Sequence, residues 1–298
     1  MLDIENWYRS ICSETSLGLP ISTSPLLIGE VGINHNGDLE IAKQIVEMAV
    51  KNGCDFVKFQ KRNPDICVPD SKKQLLKDTP WGVMTYLEYK KKIEFNKSDF
   101  YELDKFCKDL GIGWSASAWD DESQDFLKEF NLPFNKVASA LNTKIDFIEK
   151  VASEKKLTFL STGMATLNDI DNCVSIFKKY NCPLILFHTV STYPAIDSEL
   201  NLAIISTLKE RYRLPIGYSG HESTVTPSII AAALGAVAIE RHVTLDRTMW
   251  GTDQAASLEA NGISQLSNAL HRIPILIGNP NKKFFDSEKK SSENLRYW

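Results

Sequence analysis

The sequence predicts an α/β fold, a single (β/α)8 TIM barrel, on three observations. Eight short apolar runs alternate with longer segments of helical period. Together these eight units use nearly all of the 298 residues, and a barrel of this kind takes roughly 250. The turn after the first run, GEVGINHNG, lacks the GxGxxG spacing of a doubly wound open sheet, the competing α/β architecture.

The elements follow in order. Residues 1–24 form an N-terminal extension expected to plug the base of the barrel. The first strand is LLIGE (26–30), and its helix runs from Asp38, a good N-cap, to Asn52, with Gly53 as the stop. The second strand, FVKFQ (56–60), leads into a long insertion from Lys61 to Ile93, the sort of segment that covers a barrel mouth. A helix from Lys97 to Leu110, stopped by Gly111, precedes IGWSA (112–116). The helix from Asp121 to Phe130 then leads to KVASA (136–140), and the helix from Asn142 to Ser153 to TFLST (158–162). Leu167 to Tyr180 is the next helix, before LILFH (184–188). Ser198 caps a helix to Arg213 before PIGYS (215–219). Ser223 to Leu234, stopped by Gly235, precedes AVAIE (236–240). A last helix from Gly262 to Ile277 closes a barrel spanning 25–280, and 281–298 is a polar tail. No low-complexity linker divides the chain, so one domain is expected.

Composition narrows the function class. The chain is 43% hydrophobic and 24% charged with a formal net charge of −4, which gives no basic footprint for nucleic acid or anionic membrane. No run approaches the roughly 20 apolar residues of a membrane span, and MLDIENWYRS is too polar for a signal peptide. Six cysteines are scattered without a CxxC pair, as a reducing cytosol tolerates, against a disulfide framework or a thiolate zinc site. A cytoplasmic globular enzyme with small-molecule substrates is the expectation.

Barrel enzymes place their chemistry at the C-terminal ends of the strands. Nearly every candidate strand here ends in a polar group: Glu30, then Lys58 and Gln60, Ser117, Lys136 with Ser139, and Ser161. His188 with Ser191 and Tyr193, Ser219 with His221, and Glu240 with His242 complete the rim. A core built only for stability would not gather unpaired charges at one end. Taken alone, Lys58 reads either as a snorkelling edge lysine or as a site residue, and Lys136 likewise. Two such lysines with several serines suit an oxyanion or phosphate site. His35 and His188 read as satisfied core histidines, and His271 as structural. His221 and His242 differ, because they follow adjacent strands at the same rim and could share one divalent cation.

The segments GEVGINHNGDLEIAKQIVEMAVKNGCDFVKFQKR, STGMAT, HTVSTYP, IGYSGHE and ERHVTLDRTMWGTDQAASLE occur in this order. Together they resemble the sialic acid synthase family, the phosphoenolpyruvate-dependent nonulosonate synthases, over residues 25 to 290. TPWGVMTYLEYKKKIEF and the form SGHE look like the animal-type branch, which takes a phosphorylated hexosamine. The resemblance implies a condensation of phosphoenolpyruvate with an aldose such as N-acetylmannosamine, mannose or a 6-phosphate. It implies that Lys58, Lys136, Ser139, Ser161 and Ser219 bind phosphoenolpyruvate, helped by Ser117 and Ser191. It further implies that His221 and His242 hold Mn2+ or Mg2+, and that Glu30 is the carboxylate near the reacting carbons. Gln60, Tyr193 and Asp253 would contact the sugar, with Glu240 and Arg241 supporting the metal side, in a homodimer.

Family members carry a C-terminal antifreeze-like domain that reaches over the partner's barrel and lends an arginine to the acceptor. The sequence ends at Trp298, near where its linker would begin, so the expectation is a barrel without that lid. Two other readings compete: a metal-dependent aldolase or isomerase on a similar barrel, and an inactive regulatory barrel.

Overall fold

A computed structural model describes residues 2–16 and 23–298; part of the expected extension, 17–22, therefore lies outside the described residues. Among the described residues there are ten strands: β1 (Leu26–Gly32), β2 (Phe56–Lys61), β3 (Leu76–Thr79), β4 (Gly82–Thr85) and β5 (Gly113–Ala118). They continue with β6 (Asn135–Val137), β7 (Thr158–Ser161), β8 (Leu184–Thr189), β9 (Ile216–Gly220) and β10 (Ala238–His242). Eight close a parallel barrel in the order β1-β10-β9-β8-β7-β6-β5-β2, with helices on the outside. This is the expected (β/α)8 architecture.

Each strand has two destinations for its side chains, because successive residues point to opposite faces. One set packs against the helix layer; Leu27, Val57, Phe59, Leu160, Leu186 and Ile239 belong to that outer core. The other set fills the lumen, and its lower layer is apolar and rich in phenylalanine: Ile28, Phe56, Phe134, Phe159 and Phe187. Phe134 and Phe159 stack with centroids 4.2 Å apart. Room for these rings comes from neighbouring glycines, since a Cβ on Gly217 would sit 2.7 Å from the Phe187 ring. Helix Ile4–Ser16 inserts Ile4, Trp7 and Ile11 into the same cluster, so the extension does plug the base.

Local signals were mostly obeyed. Asp38 caps helix Leu39–Lys51 by accepting from the backbone N–H of Glu40 and Ile41, and Gly111 ends helix Lys97–Leu110 at φ +73°. Ser198 is not an N-cap. Residues Asp197–Glu199 form a 3-10 turn and the helix starts only at Ile204, because the chain first dips to bury Leu200. The fourth strand ends at Val137, and Ser139–Leu141 turn as a 3-10 helix, so the next helix starts at Ile145 rather than Asn142. The insertion is not a plain loop. It holds helices Pro64–Cys67, Asp70–Lys73 and Tyr86–Lys92 around the β3–β4 hairpin. Its Trp81 and Tyr89 pack edge-on against Trp250 from the loop after β10, at 6.0 and 5.4 Å.

Candidate active site

Above the phenylalanine layer the same inward rows turn ionisable. Two residues after Phe56 comes Lys58, after Phe134 Lys136, after Phe159 Ser161, and after Phe187 Thr189. These side chains line a cavity of about 220 Å³ at the C-terminal end of the barrel, with Glu30, Gln60, Ser117, Ser219, Glu240 and His242 on other strands. Loop residues Ser139, Ser191, Tyr193 and His221 close its rim. Fourteen expected site residues thus line one cavity or, in the case of Asp253, touch it: Asp253 Oδ2 lies 3.7 Å from His242 Nδ1.

The cavity floor is a buried network of two cations and two carboxylates. Lys58 Nζ lies 2.5 Å from Glu30 Oε2 and donates to Ser117 Oγ at 3.0 Å. Lys136 Nζ donates to Ser161 Oγ at 2.6 Å. Each ammonium is also 3.7 Å from Glu240 Oε1, which accepts from Ser219 Oγ at 3.3 Å. Glu30 Oε1 accepts from Gln60 Nε2 at 3.0 Å, and Gln60 in turn accepts from Arg62. Burial pushes the Glu30 carboxyl up to about 7 against the pull of Lys58. Burial pulls Lys136 down to about 8 despite Glu240. Lys58 is buried too, but Glu240 and Glu30 outweigh that and hold it above its ordinary value. Lys136 is therefore the more weakly compensated cation, ready for a substrate anion.

Glycine at 163 allows the serines to converge. A Cβ there would lie 2.3 Å from Ser191 Oγ and 2.7 Å from Ser139 Oγ, and the Gly163 N–H donates to Ser139 Oγ at 3.1 Å. Ser191 Oγ, Glu240 Oε2 and His242 Nδ1 are buried with no hydrogen-bond partner among the described residues. All three line the cavity, so they are open to a ligand there.

The donor set fits a cation held by two imidazoles. The His221 and His242 rings lie 5.4 Å apart, and burial holds both below their ordinary pKa, His221 at about 4, so both are neutral with a lone pair to offer. His221 Nδ1 is committed to Val190 O at 2.6 Å, which leaves Nε2 for a metal in the usual second-partner arrangement. Among the described residues no group of three His, Cys, Asp or Glu side chains is disposed around one point. Water and substrate oxygens would complete the shell.

One expected residue is elsewhere. Arg241 faces away from the cavity, into the helix layer, since it lies between the inward Glu240 and His242 on β10. It is 1% exposed, pairs with Glu222 Oε1 at 2.9 Å and donates to Thr224 O and Ser228 Oγ. It braces the barrel wall and touches no substrate space. The bland readings of His188 and His271 hold: each bonds a backbone carbonyl, of Leu200 and Ser267. Trp119, Met164 and Thr189 line the cavity and were not singled out; the two-residue step from Phe187 would have found Thr189.

A family model described as the NeuB family matches residues 45–282. Human N-acetylneuraminate-9-phosphate synthase is 34% identical over 272 residues, covering 90% of this chain and 76% of that protein. The N,N'-diacetyllegionaminic acid synthase of Campylobacter jejuni is 35% identical over 91% of this chain and 83% of its own. The crystal structure of N-acetylneuraminic acid synthetase from Leptospira borgpetersenii, in complex with citrate, superposes with a TM-score of 0.82 at 32% identity, covering 92% of each chain.

Proposed function

Since the chain belongs to the NeuB family, we propose that it condenses phosphoenolpyruvate with an aldose to give a 3-deoxy-2-keto sugar acid and inorganic phosphate. The observation that carries this reading is the pair of buried lysines, each with its own serine hydroxyl, facing one cavity that also holds two carboxylates and two neutral imidazoles.

The reaction needs two anions held still while carbon changes bonding. Lys136 with Ser161 and Lys58 with Ser117 supply cation–hydroxyl pairs for the phosphate and carboxylate of phosphoenolpyruvate, with Ser139, Ser191 and Ser219 as further donors. The methylene carbon of phosphoenolpyruvate attacks the acceptor aldehyde, and the aldehyde oxygen takes a proton as the C–C bond forms. Water adds to the adjacent oxygen-bearing carbon and gives up a proton, and the bond from that carbon to the phosphate oxygen breaks, leaving the ketone and inorganic phosphate. Glu30 serves the proton transfers, being a carboxyl whose burial brings it near neutrality beside Gln60 and Lys58. Gln60, Tyr193 and Asp253 at the rim face the acceptor. His221 and His242 would hold Mn2+ or Mg2+, which would polarise the aldehyde as a Lewis acid.

A panel of hexoses, hexosamines and their 6-phosphates tests this reading, with phosphate release and product mass as readouts. The expected product is the acceptor lengthened by three carbons as a keto acid. Phosphoenolpyruvate inert toward the whole panel, with pyruvate or a lone sugar turned over instead, would establish the aldolase reading.

A further inference from the structure

The proposed chemistry sets Gln60 beside Glu30 without saying what fixes the sense of its amide. Gln60 Nε2 donates to Glu30 Oε1 at 3.0 Å, and Gln60 Oε1 accepts from Arg62 Nη2. The two ends of a primary amide are nearly alike in shape and opposite in sense, so its partners decide which end faces which. A guanidinium has donors only and keeps its charge at any working pH. Arg62 can therefore take only the carbonyl end, which commits the NH2 end to the Glu30 carboxylate. A partner that both donates and accepts would leave both senses open, including the one that sets the amide carbonyl against that carboxylate.

The surroundings of Arg62 fix it in turn. Its side chain is 6% exposed, and its guanidinium lies 4.7 Å over the ring of Trp119, which lines the cavity. The backbone is pinned at two successive residues: the Arg62 N–H donates to Glu94 Oε1 at 3.0 Å and the Asn63 N–H to Asp120 Oδ2 at 2.7 Å. Counter-charge is thin. The one carboxylate at ion-pair distance among the described residues is Glu94, 3.8 Å from Arg62 Nε and shared with Lys61 at 3.0 Å. Nε itself is buried with no hydrogen-bond partner among the described residues. A guanidinium so far desolvated and so loosely paired lowers stability, so packing alone does not account for it. Its contact with Gln60 ties it to a cavity that it does not itself line.

Resting on the condensation proposed above, we propose that Arg62 is a positioning residue for that reaction. Held flat on Trp119, it fixes the Gln60 amide with its NH2 end toward Glu30. Both side chains are thereby kept in the geometry that carbon–carbon bond formation uses. Arg62 touches no substrate and acts through Gln60, so its loss should lower kcat and spare phosphoenolpyruvate, whose anions are assigned to the lysine–serine pairs.

The test uses variants of the full chain that differ in what they offer Gln60: Arg62→Lys only donates, Arg62→Gln donates and accepts, and Arg62→Met does neither. Phosphate release with an accepted aldose gives kcat and KM, and calorimetry gives the dissociation constant for phosphoenolpyruvate. The expected order of kcat is Arg62→Lys above Arg62→Gln and Arg62→Met. The latter two should fall tenfold or more below the intact protein, while the dissociation constant stays within about twofold. The first two variants keep a polar head at the site, so their comparison stands even where Arg62→Met does not fold. On a Gln60→Met background, Arg62→Met should lower kcat by less than about twofold further, because the two side chains act as one unit. A tenfold further loss there, or Arg62→Gln equal to Arg62→Lys, overturns the positioning role. Parallel loss of melting temperature and phosphoenolpyruvate affinity at unchanged kcat makes Arg62 structural and overturns it too. The sense of the amide is read without turnover from the NH2 resonances of the Gln60 side chain, assigned by their loss in Gln60→Met. They should move further in Arg62→Gln than in Arg62→Lys; equal or smaller movement overturns the role. The expected movement with no aldose turned over upholds the positioning and overturns the condensation instead.

Discussion

Lys58 and Lys136 reach from different strands to the same oxygen, Glu240 Oε1, each at 3.7 Å. One carboxylate oxygen thus spans two ammonium groups that are themselves 3% exposed, and neither contact is short. Lys58 has a second, close partner in the Glu30 carboxylate, whereas Lys136 donates to the neutral Ser161 hydroxyl. The asymmetry assigns the two cations different energetic positions and leads to the first two expectations.

Lys136→Met should weaken phosphoenolpyruvate binding by about 10- to 100-fold, since a hydrogen bond to a charged group contributes roughly 1.5–3 kcal/mol. The same change should leave the melting temperature unchanged or higher, because it removes a desolvated charge that Glu240 only partly offsets. Calorimetric titration beside a thermal melt separates the two effects. Loss of stability with unchanged affinity would make Lys136 a structural residue.

The pH dependence of binding follows from Lys136 as well. Its pKa in the free protein is lowered, to about 8, so above that pH the free site loses its ammonium. A bound phosphate or carboxylate favours the charged form and raises the pKa again. Binding should therefore take up a proton above about pH 8 and weaken as pH rises further, by up to about tenfold per unit. Titrations at pH 8.5 in buffers of different ionisation enthalpy count that proton; Lys136→Met should abolish the uptake.

Arg241→Met should cost about 3–5 kcal/mol, because Glu222, also 1% exposed at its side chain, is left buried and unpaired. The double change Arg241→Met with Glu222→Met should recover much of the loss. Phosphoenolpyruvate affinity of the folded fraction should not move, since Arg241 faces the helix layer. A specific loss of affinity at full stability would restore Arg241 to the site.

Ile11→Ala should destabilise by about 2–5 kcal/mol, the usual cost of truncating a fully buried aliphatic residue, although it lies at the opposite end of the barrel from the cavity. Chemical denaturation measures this. An unchanged midpoint would mean that the N-terminal helix is a dispensable cover.

The sequence made the barrel legible because strand period and helix period alternate eight times, and because ionisable residues recur at strand ends. Pairing Phe56 with Lys58, Phe134 with Lys136 and Phe159 with Ser161 shows why: one inward row is apolar at the base and polar at the rim. The same period of two would have excluded Arg241, which sits between two inward residues on β10 and must point outward. Position near His242 in sequence was a weaker guide than strand parity. The helices and hairpin inside the insertion were not legible, because that segment carries no periodic signal and is held by the docking of Tyr89 on Trp250 across the mouth. The Ser198 cap failed for a related reason, since burial of Leu200 overrode a good local signal.

The most direct measurement of the central claim follows the bridging oxygen of phosphoenolpyruvate, labelled with 18O, through one reaction with a divalent cation and an accepted aldose. If the cavity binds the phosphate and carboxylate while water adds at the former enol carbon, the carbon–oxygen bond breaks and all of the label leaves in inorganic phosphate. Label retained in the keto acid, or phosphate released at the same rate without the aldose, would contradict the account.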